Sequence, residues 1–217
     1  MVKKVFIQTL IITIFIFATG FYFGDYIESQ RADNIQELFF QTETDRLDLN
    51  TQIEMFENLD CESIRSETIN LADKTYFEAI SLENIKESEN YNEDLNEIHR
   101  RYDLIRTIIW KIVYDYDDCF EDYDVFVYLY EYKNPSYDVE LRQEYYASVT
   151  SDIKKTEERV ILIPIAYDTN IISLDLLMDI LNIEKGTKIV INNEIIVDDY
   201  SSKEDILELI NANKGIA

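Results

Sequence analysis

An uncharged segment near the N-terminus limits the folds open to this chain. From Val5 to Gly24 no side chain is charged, and about 20 apolar residues are what a helix needs to cross a bilayer. Lys3 and Lys4 precede the segment, and the first acidic residue, Asp25, follows it. The positive-inside rule therefore predicts a single-pass membrane anchor over residues 1–25, with a cytoplasmic N-terminus and an extracytoplasmic C-terminal head.

A cleaved signal peptide is the alternative interpretation of the same segment. Ala18 and Gly20 are small residues at the spacing of a cleavage site. The apolar run is nevertheless long for a signal peptide, and Phe21, Tyr22 and Phe23 are typical of an aromatic belt at a membrane interface. We therefore expect a helix that stays attached to the chain.

The overall charge restricts the partners of the protein. The chain has 44 acidic and 20 basic residues and a formal net charge of -24, with a hydrophobic content of 47%. That hydrophobic content is too high for a disordered acidic tail, so the chain is expected to fold. Because the charge repels phosphate backbones, nucleic acid is excluded as a partner. A membrane, contacted through the N-terminal helix, and another protein are the partners expected.

Residues 26–59 contain neither Gly nor Pro and are predicted to form a helical stalk. Thr42, Asp45 and Gln52 interrupt its heptad seam, so the pattern is that of a weak coiled coil. The apolar residues on positions a and d are Ile35, Leu38, Leu49, Phe56 and Leu59. Two interpretations stay open: a stalk that can form a homodimer, and a solvated helix that packs against its own chain.

Residues 60–120 are predicted to form an antiparallel helical hairpin. Apolar residues from Leu95 to Ile112 recur at steps of three and four, which places them on one face of a helix. An earlier stretch, from Ile64 to Leu82, has comparable spacing, and the polar segment Glu87–Asn92 between the two stretches contains turn residues.

The two cysteines, Cys61 and Cys119, lie at the two ends of this hairpin. The midpoint between them is residue 90, inside the predicted turn, so an antiparallel arrangement makes them neighbours. Outside the cytoplasm we predict a structural disulfide, and closing a loop of about 58 residues would contribute about 4 kcal/mol. Two unlinked thiols are the alternative for a cytoplasmic domain.

An acidic run follows the hairpin. Oxygen-rich loops suit calcium, but no Gly supplies a tight turn here and the spacing does not match an EF-hand, so we expect a solvated connector. The run comprises Asp115, Asp117, Asp118, Glu121, Asp122 and Asp124.

Few other residues suggest chemistry. The single histidine, His99, leaves no second imidazole for a zinc site, and Arg100 and Arg101 beside it predict a position on the surface. Trp110 is expected to pack in the interior. The sixteen tyrosines are expected to fill strands and helix-sheet contacts, with their hydroxyls reaching water. Since no glycine-rich phosphate loop is present, no cofactor is expected.

The chain from residue 124 to residue 213 predicts an α/β domain of order βαβαββα, so the whole is α+β. Its second strand contains Pro164, and Asn192-Asn193 supplies a two-residue hairpin turn. A Ser201/Glu204 capping box opens the last helix. The predicted strands cover residues 125–132, 160–167, 188–191 and 194–198. The two helices between the first three strands cover about 136–157 and 174–181.

The ending GTKIVINNEIIVDDYSSKEDILELI, residues 186–210, resembles the thioredoxin-like superfamily. In that family a Gly/Thr/Pro-rich turn leads into a strand, a tight hairpin, a second strand and a closing helix. The resemblance implies a thioredoxin-like domain over residues 124–213. It also implies that the strand with Pro164 is an edge strand, where proline is tolerated.

The chemical hallmarks of the family's oxidoreductases are missing. Their Cys-x-x-Cys motif begins the helix after the first strand, where the helix N-terminus lowers a thiol pKa. Here Asn134, Pro135, Ser136 and Tyr137 occupy that window, and Lys188 stands where the family has a cis-proline. The resemblance therefore implies a domain without redox activity.

We expect an extracytoplasmic binding or scaffolding module rather than an enzyme. The alternative is a thiol-disulfide exchange enzyme or partner that uses Cys61 and Cys119.

Overall fold

The computed structural model describes residues 7, 8, 10–24, 26, 48, 51–86 and 92–215. Contacts divide the chain into two units, Met1–Asn58 and Leu59–Ala217. Within the described ranges, no helix is both long and apolar enough to cross a membrane. Most of the predicted stalk, and part of the predicted anchor over residues 1–25, lie outside these ranges.

Two helices, α1 (Cys61–Lys86) and α2 (Asn92–Asp115), open the second unit and pack against each other. The start of α1 is capped, because the Asp60 carboxylate accepts a hydrogen bond of 2.8 Å from the Ser63 amide. A short 3-10 helix, Asp117–Phe120, follows α2. The two helices of the predicted hairpin are thus present, while most of the predicted turn lies outside the described residues.

The rest of the unit is a four-stranded mixed sheet with three helices. The sheet order is β2-β1-β3-β4, where β1 pairs in parallel with β2 and antiparallel with β3, and β3 pairs antiparallel with β4. The strands are β1 (Asp124–Tyr130), β2 (Val160–Ala166), β3 (Lys188–Ile191) and β4 (Ile195–Val197), and the helices are α3 (Tyr137–Thr156), α4 (Ile172–Ile180) and α5 (Lys203–Asn213). The predicted order βαβαββα and the α+β class are confirmed.

The central strand β1 is covered on both faces. All residues from Val125 to Leu129 are buried, although successive side chains point to opposite faces of a sheet. On one face, Phe126 and Tyr128 pack with Tyr146 of α3 and Ile206 of α5 in one hydrophobic cluster. The run of apolar residues without alternation is what a strand buried on both faces requires.

Two local predictions are confirmed by the backbone. Pro164 lies in β2, which is an edge strand, so the amide that proline lacks is not needed for a second neighbour. Asn192 and Asn193 adopt φ values of 51° and 60° between β3 and β4. Asparagine tolerates this left-handed region better than most residues.

Two other predictions were wrong in detail. The cap of α5 is formed by Ser202 and Asp205, one residue later than the predicted Ser201/Glu204 pair. The tyrosine hydroxyls do not all reach water: those of the buried Tyr128 and Tyr146 donate to the carbonyls of Gln143 and Asp199, at 2.9 and 3.0 Å. Buried hydroxyls take backbone partners because an unpaired polar group in the interior is costly.

Candidate functional site

The carboxyl ends of the parallel strands β1 and β2 lie side by side. Tyr130 ends β1 and is paired in register with Ala166, which ends β2. In open α/β sheets, ligands bind outside the carboxyl ends of the parallel strands. We refer to this region, with the loops that follow the two strands, as the carboxyl edge.

Asp103 of α2 is the buried charge of the carboxyl edge, with a side chain that is 0% exposed. Its Oδ1 accepts a hydrogen bond of 3.2 Å from the Ala166 amide and lies 3.4 Å from Nη1 of Arg106, which is itself buried. A buried carboxylate is stable only when it is paired and hydrogen-bonded. The contact with Arg106 lies within α2, whereas the hydrogen bond from the Ala166 amide ties α2 to the end of β2.

His99 lies one helical turn before Asp103. Its Nδ1 is 2.9 Å from Oδ2 of Asp103, close enough for an ion pair when the imidazole is protonated. Neither of these two buried atoms has a hydrogen-bond partner among the described residues, so the pair does not meet the geometry of a hydrogen bond. The contact is thus electrostatic rather than a linear hydrogen bond.

The other nitrogen of His99 contacts β1. Its Nε2 lies 3.0 Å from the hydroxyl oxygen of Tyr130, and the imidazole tautomer decides which of the two donates. The imidazole ring also stacks on Tyr132, with centroids 3.7 Å apart and planes inclined by 23°. Asp103, His99 and Tyr130 therefore form a continuous polar chain with Tyr132 against one side of it.

The predicted surface position of His99 was wrong, since its side chain is only 23% exposed. The spacing of His99 and Asp103, four residues apart on one helix, is the signal that could have paired them. Of the two basic neighbours that predicted a surface position, Arg100 is 51% exposed and lies 3.5 Å from Glu97.

The Tyr130 hydroxyl is held in its neutral form. Burial raises its pKa well above the ordinary tyrosine value, the negative charge of Asp103 raises it further, and the Arg106 guanidinium opposes the rise. A neutral phenol can donate or accept a hydrogen bond but is a poor nucleophile. The polar chain is therefore suited to holding a shape or a ligand rather than to nucleophilic catalysis.

A second polar group lies in the loops of the carboxyl edge. The Tyr167 hydroxyl donates to Oε2 of Glu131 at 3.2 Å. Burial, and then the charge of Glu131, raise the pKa of Tyr167 to about 12, while Thr187 lowers it. Asp168 also accepts hydrogen bonds from the amides of Tyr132 and Lys133, at 2.8 and 2.6 Å. The loop after β2 thus fixes the loop after β1.

The residues that the sequence resemblance predicts at the redox-motif positions also lie at this end of the sheet. Asn134 has a φ of 53°, Ser136 is the N-cap residue of α3 without a side-chain capping bond, and Tyr137 begins α3 with a side chain that is 72% exposed. Pro135 lies between the first two. Lys188 begins β3 and pairs with Leu129, one residue from the end of β1.

The cysteines lie elsewhere in the unit. Cys61 and Cys119 form a disulfide with a Cα–Cα distance of 4.9 Å, which confirms the predicted pairing. Cys119 lies five residues before β1, whereas the carboxyl edge lies beyond the other end of that strand, about 20 Å away along its length. The structure does not bring the disulfide to the carboxyl edge.

Three of the six acidic residues in the run from Asp115 to Asp124 form ion pairs. Asp115 pairs with Lys111, and Asp124 lies 2.7 Å from Nζ of Lys214. Asp122 lies 3.6 Å from a guanidinium nitrogen of Arg159. Within the part of the chain that the structure describes, no group of three or more acidic, Cys or His side chains has the arrangement of a metal site.

Comparison with known proteins finds no family model, no curated protein and no solved structure that matches this chain.

Proposed function

We propose that this chain is a membrane-anchored protein whose unit Leu59–Ala217 is a redox-inactive, thioredoxin-like module that binds another protein at its carboxyl edge. The observation that carries the proposal is the set of side chains that lie at that edge. Where a thioredoxin-like oxidoreductase needs a thiol, this chain has Asn134, Pro135, Ser136 and Tyr137, and its cysteines are joined at a distance from the edge.

Three features of the sheet support the thioredoxin-like part of the proposal. β2 is an edge strand, β3 and β4 form a tight hairpin, and α5 closes the domain. These are the features that the resemblance of residues 186–210 implies. Fold likeness alone does not define a function, so the proposal rests on the side chains of the edge.

The anchor is supported by the N-terminal segment and by the disulfide. The run Val5–Gly24 has no charged side chain, and its large apolar residues that the structure describes are all more than half exposed, Phe17 at 77% and Phe21 at 79%. Such a surface is unfavourable in water. The Cys61–Cys119 disulfide favours an oxidising compartment, which agrees with an extracytoplasmic head.

Protein is the partner that the chemistry of the edge favours. Aromatic side chains dominate the energetics of many protein interfaces, and Tyr137, which follows Tyr132 by five residues in the chain, is 72% exposed. The net charge of -24 disfavours nucleic acid. The edge holds its loops in place through Asp168, so a partner would meet a preformed surface.

Site-specific photocrosslinking tests this proposal. A benzophenone amino acid replaces Tyr137 at the carboxyl edge, and the control places it at Ile196, an exposed residue of β4. After illumination of native membranes, we expect one protein adduct from position 137 that is missing from position 196. No adduct at 137, or the same adduct at both positions, would count against the carboxyl edge as the binding surface.

Thiol-disulfide exchange is the second candidate. Cys61 is exposed and is the first residue of α1, where the helix N-terminus would favour a thiolate after reduction. The neighbouring Asp60 carboxylate works against that stabilisation. Loss of disulfide-exchange activity in a Cys119→Ser variant separates this candidate from the binding module.

A further inference from the structure

Helix α4 exposes a continuous apolar ridge. Ile172, Leu176 and Ile180 follow one another at intervals of four residues and are 76%, 57% and 59% exposed. Residues four apart on a helix are neighbours, so the three side chains line one face of α4. The opposite face is buried in the unit through Leu174 and Met178.

A ridge of this kind differs from the scattered apolar residues of an ordinary surface. Single exposed apolar side chains are common and need no explanation, but contiguous ones mark interaction sites. Apolar anchors that recur about once per turn on one face are how helices recognise apolar partner surfaces. Ile172, Leu176 and Ile180 occupy the whole length of α4, which ends at Ile180.

Acidic side chains flank the ridge on one side only. Asp175 and Asp179 each follow a ridge residue by three positions, whereas Ser173 lies on the other side. Asp175 pairs with Lys185, whose Nζ is 2.7 Å from its Oδ1. Among the described residues, Asp179 has no cationic partner within ion-pair distance, so its charge faces solvent beside the ridge.

We propose that the ridge Ile172–Leu176–Ile180 docks an amphipathic helix of another protein, with Lys or Arg beside its apolar face to meet Asp179. The acidic residues beside the ridge favour a basic partner helix over a membrane or a second copy of this chain. An anionic lipid surface would be repelled by the acidic flank, and a second copy would bring its own aspartates and a charge of -24 against it. The ridge begins at Ile172, directly after the loop that follows β2, but its three residues make none of the contacts described for the carboxyl edge, and the inference does not depend on binding there.

A peptide titration of the full-length protein in a mild nonionic detergent tests the inference. The probe is a fluorescein-labelled helical peptide with Leu at three successive i, i+4 positions and Lys beside them, and the readout is fluorescence anisotropy. A second peptide has Glu in place of each Lys. We expect the acidic peptide to bind at least about tenfold more weakly than the basic peptide.

Three variants locate the site. Leu176→Ser should weaken binding of the basic peptide about tenfold or more, since the lost apolar contact is largely desolvated in the complex. Asp179→Asn should weaken it about threefold and reduce its salt dependence. Leu209→Ser removes an apolar residue of α5 that is 45% exposed, and it should bind as the wild type does.

Circular dichroism verifies that each variant is folded, which is expected because Leu176, Asp179 and Leu209 are exposed. Wild-type affinity in Leu176→Ser, equal affinity for the two peptides, or equal losses in Leu176→Ser and Leu209→Ser would each overturn the inference. Sedimentation that shows a dimer abolished by Leu176→Ser would replace the proposed partner helix with a second copy of this chain.

Discussion

The Asp103 carboxylate accepts a hydrogen bond of 3.2 Å from the backbone amide of Ala166, a residue 63 positions later in the chain. Through this bond a helix that precedes the sheet in sequence is fixed to the last residue of an edge strand. The same carboxylate is close to His99 and Arg106, so one buried group organises the carboxyl edge. Its role is tested most simply by stability measurements.

Asp103→Ala should destabilise the unit by about 3 to 5 kcal/mol, because it leaves the buried Arg106 guanidinium and the Ala166 amide without their shared partner. Urea unfolding followed by circular dichroism measures the change. Glu97→Ala is the matched control: Glu97 forms an ion pair with Arg100 on the same helix but is 76% exposed, so it should cost about 0 to 1 kcal/mol. Equal costs for the two variants would contradict the structural role of Asp103.

The capping box of α5 gives a second prediction. The Ser202 hydroxyl accepts a hydrogen bond from the Asp205 amide at 3.2 Å, and the Asp205 carboxylate accepts one from the Ser202 amide at 2.9 Å. Ser202→Ala should therefore cost about 1 kcal/mol. The neighbouring Ser201→Ala removes no capping hydroxyl and should be close to neutral. If Ser201→Ala lowers the stability in thermal unfolding more than Ser202→Ala does, Ser201 is the capping residue instead.

The turn between β3 and β4 gives a third prediction. Asn193 has a φ of 60°, and its Oδ1 accepts a hydrogen bond of 2.7 Å from the indole of the fully buried Trp110. Both Asn193→Gly and Asn193→Ala lose that bond, but only alanine must also adopt the left-handed backbone. The alanine variant should be less stable than the glycine variant by about 1 kcal/mol. Tryptophan fluorescence during urea unfolding compares them, and equal stabilities would argue against this turn geometry.

Alkaline pH should destabilise the unit through Tyr146. Burial is the largest cause that raises the pKa of Tyr146 to about 12 from 10.0, so the folded state keeps the proton after the unfolded state has lost it. The resulting stabilisation is complete below pH 10 and is lost as the pH rises toward about 12. Tyr146→Phe should give a shallower fall of unfolding free energy over this interval, measured by urea titrations at several pH values.

Tyr137→Phe is the matched control for that experiment, because the Tyr137 ring is 72% exposed. Both variants also remove one tyrosine from the unfolded chain, so the comparison isolates the buried environment. If Tyr146→Phe has the slope of the wild type, the buried hydroxyl does not contribute to the alkaline transition.

The elements of the sheet could be predicted from the sequence because their signals are local. Strand β1 is apolar on both faces, and the Asn192-Asn193 pair determines a hairpin turn by its own backbone preference. The disulfide followed from the position of each cysteine at one end of a predicted hairpin. For the strand and the turn, neighbouring residues were sufficient, whereas the disulfide joins residues 58 positions apart and followed only from the predicted pairing of the two helices.

The carboxyl edge could not be predicted in the same way, because its contacts are long-range. His99 and Asp103 share a helix face, but their partners Tyr130 and Ala166 belong to strands that follow much later in the chain. The cap of α5 was predicted one residue too early for a different reason: Ser201/Glu204 and Ser202/Asp205 both fit the Ser-x-x-acid pattern. Only the backbone angles of the cap distinguish them.

The central claim, that this is a binding module with a structural disulfide, is tested most directly by a disulfide-exchange assay. Full-length wild type and Cys119→Ser are compared for insulin reduction in the presence of dithiothreitol, with an active dithiol oxidoreductase as the positive control. We predict that neither protein exceeds the rate of dithiothreitol alone, since the Cys61–Cys119 bond lies away from the carboxyl edge. Turnover by the wild type that disappears in Cys119→Ser would contradict the account and establish the exchange activity instead.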